Sequence, residues 1–279
     1  CGWYLAGSLC MALVAGCRPQ LVLLSFLAFP LFWRRYITER RLFTGRGARE
    51  FACLIAPYVV VAAGIMLYNN ARFGSLTDFG ANYNLTVNDM TKRGMNVGRL
   101  APALFTYFLQ PPCVTGVFPF LQPTPFETTY MGQTIKEVTF GGVLACLPVL
   151  WVLPFASRIL KLRISQRSTR TTMGVIVVLI AAGVIVALLD AEMAGILQRY
   201  YADFSFMFLA AAVFLVFIVN ENLVPGSTMA QVFTKVLLVL VALSVFYSAL
   251  ICFVPETGWY SDVYSWAYSS FFETVLFWT

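Results

Sequence analysis

The 279-residue sequence predicts an all-α integral membrane protein. It would have about seven transmembrane helices, plus external interfacial or re-entrant short helices. Three observations predict this. Hydrophobic residues make up 59% of the chain and charged ones 11%, with a mean hydropathy of +0.77. Soluble domains carry roughly 25% charged residues, and a soluble fold this size could not bury so much apolar surface. Apolar runs of about 17 or more residues, enough for a helix to cross hydrocarbon, recur along the chain. Lys and Arg also collect in alternate connections between those runs.

The elements follow in order as one polytopic domain over residues 1–279. Cys1 to Trp33 is apolar except for GCRPQ at its centre, where Pro19 breaks helix continuity, so two short spans meet near Arg18-Pro19. The basic stretch WRRYITERRLFTGRGARE connects them to a span over Phe51 to Leu67. Residues 68–139 form a long external section. Its second half is apolar but interrupted by Pro102, Pro111, Pro112, Pro119, Pro123 and Pro125. Proline at that spacing leaves no spanning helix, so short interfacial helices or a re-entrant hairpin are expected. Four more spans are expected over Phe140 to Ala156, Met173 to Leu189, Tyr201 to Val219 and Val232 to Phe253, before an external aromatic tail at residues 254–279.

Orientation follows from the basic residues. Arg34 to Glu50, Ser157 to Thr172 and Asn220 to Lys235 fall on one side and hold 12 of 19 basic residues but 3 of 13 acids. That side is expected to be cytoplasmic. The net charge of +6 is then a matter of topology and anionic-lipid contact, and no nucleic-acid partner is implied. The pattern is already under way at Cys1, so the chain is expected to be the C-terminal part of a longer protein. The seven Cys are scattered without a C-x-x-C and read as small buried hydrophobes. With no His in the chain, Ser-His-Asp triads, Cys-His pairs and His-ligated metals drop out.

Three constellations could bind a ligand. In YNNARFGSLTDFG, Arg72 and Asp78 flank a Gly-rich turn. They either pair across it, or Arg72 offers its planar donor fork to an anionic headgroup. Asn84-Leu85-Thr86 nearby is a glycosylation sequon. Arg18 is a cation amid apolar residues, which either snorkels to the interface or lines an external cavity. In LLDAEMAGILQRYYADFSFMF, Asp190 and Glu192 end one span and Arg199, Tyr200 and Asp203 begin the next. Arg199 and Asp203 could pair at i, i+4, or the group could hold a lipid phosphate and sugar hydroxyls. Glu127 and Glu137 lack the spacing of an acid/base pair.

AGCRPQLVLL after one apolar helix, YNNARFGSLTDFGANYNLT at the end of another and QRYYADFSFMFLAA later resemble bacterial membrane glycosyltransferases of the GT-C superfamily, in the protein-mannosyltransferase-like (glycosyltransferase family 39-like) group. The resemblance implies transfer of a sugar from a polyprenyl-phosphate donor to a lipid, glycan or protein acceptor. Transfer would take place at the outer face of a bacterial plasma membrane. It implies a catalytic carboxylate in a loop upstream of Cys1, a possible divalent metal there, and Arg18, Arg72, Asp78, Arg199, Tyr200 and Asp203 as substrate-binding residues. The chain alone is then expected to be catalytically silent. The alternative is a polytopic transporter or lipid flippase binding an anionic substrate.

Overall fold

The computed structural model describes residues 1–80, 83, 97–116, 118–130, 133–154 and 167–254. The sequon at Asn84, the aromatic tail beyond Val254 and most of the Ser157 to Thr172 connection lie outside the described residues, as do the side chains of Glu127 and Glu137. The protein is all-α in character, and among the described residues five helices are long and apolar enough to cross a membrane: Pro19–Thr38, Gly45–Phe73, Arg170–Met193, Gln198–Asn222 and Thr228–Cys252.

Helix α1 spans Gly2–Cys17. Arg18 then adopts an extended conformation, and Pro19 starts a 3-10 segment over Pro19–Leu27 that continues through α2, Ala28–Trp33, and a wide turn at Arg34–Thr38. The break falls at Arg18-Pro19, as the sequence leads one to expect, because proline has no N–H to continue α1 but suits a first helical turn. The Thr44 hydroxyl accepts from Gly47 N at 3.1 Å and caps α3, Gly45–Phe73. Gly74 ends it at φ 73°, a left-handed conformation that glycine adopts without strain. The remaining long helices are α6, Arg167–Ala194; α7, Tyr201–Asn222; and α8, Thr228–Cys252, the last capped by Ser227 accepting from Ala230 N at 3.2 Å.

The other two expected spans are not among these five described helices. Helix α1 has 16 residues. The run from Phe140 breaks into α5, Val143–Cys146, and a 3-10 turn at Pro148–Trp151, because Pro148 cannot donate back to α5. Among the described residues after Gly80, the 68–139 section holds the helical segment Val97–Leu109, which includes α4, Leu100–Leu104. Beyond Pro111-Pro112 the chain forms hairpins where short helices were expected. Strand β1, Cys113–Val114, pairs with β2, Leu121–Gln122, and β3, Thr124–Tyr130, pairs antiparallel with β4, Gln133–Thr139. Prolines at 111, 112, 119, 123 and 125 disfavour helix, while the Thr- and Val-containing stretches beside them suit extended backbone.

Side-chain contacts set the direction of each helix. Ser8 donates to Leu54 O, and Gly16 lies against Ile65, so α1 and α3 run parallel. Ser25 and Tyr58 hydroxyls meet at 2.6 Å as the second span returns beside α3. Gln20 touches Asp190, and Gly174 lies against Pro30, so α6 runs antiparallel to that span; Gly183 then seats the Phe208 ring of α7. Arg18, Gly74, Asp190 and Tyr200 therefore gather toward one end of the bundle. The basic Arg34 to Glu50 connection, the start of α6 and the α7–α8 turn sit at the other. Half of the α7 span is buried (50%), against 6% for α3 and 11% for α8, so α7 is the central helix and the other two turn most of their surface outward.

The tightest backbone approach is at Gly142, where an added Cβ would lie 2.5 Å from the carbonyl carbon of Phe108. Backbone cannot swing aside as a side chain can. Gly142→Ala is therefore expected to cost about 2 kcal/mol by overpacking, read as a drop in unfolding free energy in detergent. A loss within error would show that the Phe108 turn shifts freely.

Candidate functional site

At the end of the bundle marked by Arg18, three connections converge. The first is the break between α1 and the second span. Arg18 Nη1 lies 3.3 Å from Asp203 Oδ2, its side chain 48% exposed and that of Asp203 11%. Two residues on, Gln20 Nε2 donates to Asp190 Oδ1 at 2.9 Å. One turn of chain thus grips both the last turn of α6 and the first turn of α7. The Arg18 charge attracts Asp190, and Asp203 repels it. The cation therefore offsets two neighbouring carboxylates, a costly pair to place in a largely apolar bundle without it. Oδ2 of each carboxylate is buried; that of Asp203 faces Arg18, and that of Asp190 accepts no hydrogen bond among the described residues.

The second connection is the turn Gly195 to Tyr200 between α6 and α7. Gln198–Tyr200 is a 3-10 turn, not the first turn of α7. The i, i+4 geometry that would bring Arg199 to Asp203 is therefore lost, and that pair does not form. Arg199 instead stacks over the Tyr200 ring, 5.2 Å from its centroid, and donates to Tyr200 Oη at 3.3 Å. Arg18 lies over the same ring at 5.9 Å. Tyr200 thus has two guanidinium groups within 6 Å of its ring, which attracts each by the cation–π interaction. Among the described residues Arg199 is in no ion pair, so its fork is open to an anion.

The third is the stretch around Phe140, which supports the turn from below. Phe140 N donates to Gln198 Oε1 at 3.1 Å, and Tyr247 donates to Phe140 O. Tyr201 Oη shares its proton between Gly141 O at 2.8 Å and Thr106 O at 3.1 Å. Buried Tyr107 donates to Gly195 O at 3.2 Å and accepts from Leu197 N at 3.3 Å. Behind these hydroxyls the rings of Tyr107, Tyr201, Phe108 and Phe208 surround Phe204. The polar turn rests on a rigid aromatic floor.

Arg18, Arg199, Tyr200 and Asp203 are therefore brought together, while Arg72 and Asp78 form a local group of their own. Arg72 donates to Tyr68 Oη at 2.8 Å, one helical turn back, and stacks over Phe73 at 5.2 Å. Asp78 does not pair with it: Asp78 Oδ1 accepts from Gly80 N at 2.7 Å and closes its own turn. Gln20, Gln198, Tyr107 and Tyr201 are site residues that sequence reasoning passed over. Gln20, next to Pro19 in the GCRPQ break, is the one of these that a reading of polar residues at helix breaks could have found. Arg99 is also buried, beside α6. Among the described residues no three Cys, Asp or Glu side chains gather as a metal ion would require. Comparison of the chain with protein-family models, curated proteins and solved structures gave no match.

Proposed function

We propose that the protein is a membrane glycosyltransferase that takes a sugar from a polyprenyl-phosphate donor and passes it to a lipid, glycan or protein acceptor. The observation that carries this reading is the grouping of Arg199, Arg18, Tyr200, Asp203 and Asp190 at one end of an apolar helix bundle. A sugar-phosphate lipid presents an anion, several hydroxyls and a long apolar tail. Arg199 supplies a planar fork for the phosphate. The Oδ2 of Asp190, which no described residue engages, offers an acceptor for a sugar hydroxyl. A site at one end, rather than at mid-depth, favours this reading over a transporter, whose binding site lies near the bilayer midplane.

Donor affinity of the full-length protein tests it. Arg199→Ala is expected to weaken binding by roughly 1.5–3 kcal/mol, more than tenfold, through loss of a charge-assisted bond. Arg199→Lys should recover part of that loss, since Lys keeps the charge without the fork. Unchanged affinity in Arg199→Ala would refute the phosphate role.

The site is proposed to face outward from a bacterial plasma membrane, on the side opposite the basic connections. With all seven native Cys replaced, an impermeant thiol reagent applied from outside should label Thr77→Cys and leave Arg46→Cys unlabelled. Both positions are exposed, and they lie beyond opposite ends of α3 or within its first turn, so the contrast reads sidedness directly. The reverse pattern would place the site inside.

A further inference from the structure

The second span and α6 meet along a seam that begins in a basic cavity at the end of the bundle opposite Arg18. There Arg34, Arg35 and Arg41 face Arg170 of α6 across a cavity of about 580 Å³, with Glu39 as the acidic member of the lining. Arg34 lies 3.3 Å from Glu39, while Arg35 and Arg41 share Glu50 at 3.0 and 3.5 Å. Glu50 is nearly enclosed, so it anchors those two guanidinium groups from behind without offering itself to a ligand. Among the described residues Arg170 is in no ion pair at all. The cavity therefore carries a positive excess on side chains that are partly held in place.

The same two elements line a second, wholly different space. An apolar groove of about 260 Å³ runs between Phe26 and Phe29 on one wall and Val178, Ala181 and Ile185 on the other. Thr171, Val178, Ala181 and Ile185 recur at helical spacing on one stripe of α6, so cavity and groove follow one another along a single seam. Thr171 to Val178 is seven residues, or about 10 Å of helix. Between them Gly174 touches Pro30, where a Cβ would come to 2.8 Å, and this contact fixes the spacing of the two elements.

We infer that this seam binds an anionic phospholipid, with its phosphate in the arginine cavity and one acyl chain along the Phe26–Val178 groove. A basic recess between membrane helices, with an apolar groove about two helical turns further along the same seam, matches such a lipid in both charge and shape. A zwitterionic lipid would bring its own cation to the arginines, and a soluble anion would leave the groove empty. The site lies at the far end of the bundle from Arg199 and does not depend on the reading given to that end.

Native mass spectrometry of the full-length protein, titrated with phosphatidylglycerol or phosphatidylcholine, tests the assignment. Wild type should retain phosphatidylglycerol in preference. Arg170→Gln, at an exposed and unpaired position, should lower that affinity roughly tenfold with no change in melting temperature. Arg49→Gln, exposed at the same end, outside the cavity and in no ion pair among the described residues, should have no effect. Ala181→Trp, which fills the groove, should weaken dioleoyl-phosphatidylglycerol and leave the dihexanoyl lipid unchanged. Equal losses in Arg170→Gln and Arg49→Gln, or no preference for the anionic lipid, would overturn the site. Insensitivity of the long-chain lipid to Ala181→Trp would do the same, and displacement by millimolar inorganic phosphate would assign the cavity to a soluble anion instead.

Discussion

Phe204→Ala is expected to destabilise the folded protein by about 3–5 kcal/mol, the range for deleting a large buried aromatic ring. Phe204 is fully buried, with ring centroids of Tyr107 at 5.1 Å, Tyr201 at 5.5 Å, Phe108 at 5.8 Å and Phe208 at 6.3 Å around it. Within a membrane the gain from leaving water is reduced, but the packing term remains. Lipid chains cannot follow a shrinking side chain into a space closed by four other rings. The loss should also be felt at the site, because Tyr107 and Tyr201 hold the Gly195 to Tyr200 turn and the Gly141 backbone. Equilibrium unfolding in mixed micelles measures it, with Phe204→Leu expected to recover most of the stability. A loss below about 1 kcal/mol for Ala would mean that the surrounding rings collapse into the gap.

Arg18→Met is expected to cost about 3 kcal/mol, the low end of the range for stripping a buried charge of its partner, because Arg18 itself is half-exposed. Most of that cost comes from Asp203, left in an apolar setting beside Asp190 without its ion-pair partner. The double variant Arg18→Met with Asp203→Asn should therefore be more stable than Arg18→Met alone. A thermodynamic cycle on the four proteins isolates the coupling. Additive effects would show that Arg18 reaches solvent independently and that the pair contributes nothing. Loss of donor binding in the stable double variant would separate a role in the site from a role in folding.

Much of this was legible in the chain before folding was considered. Apolar runs long enough to cross hydrocarbon predicted the membrane-spanning class, because run length and a low count of charges suffice for it. The helix break at Arg18-Pro19 and the gathering of Arg18, Arg199, Tyr200 and Asp203 toward one end followed from proline geometry and from counting alternate crossings. Partner choice did not follow. Asp203 sits four residues after Arg199, yet it binds Arg18 from 185 positions earlier, because a 3-10 turn at Gln198–Tyr200 rotates Arg199 away. Arg72 and Asp78 were expected either to pair or to join a common cavity. They do not pair with each other: Arg72 bonds Tyr68 and Asp78 bonds the Gly80 amide. The number of long spans and the hairpins after Pro112 turned on where single prolines and glycines stop a helix. The seam between the second span and α6 is written in no contiguous stretch. Composition and periodicity determine which segments enter the membrane, since each segment meets lipid on its own account. Which charge meets which, and which two helices leave a cavity between them, depends on rotations and offsets of whole helices, and those exist only after packing.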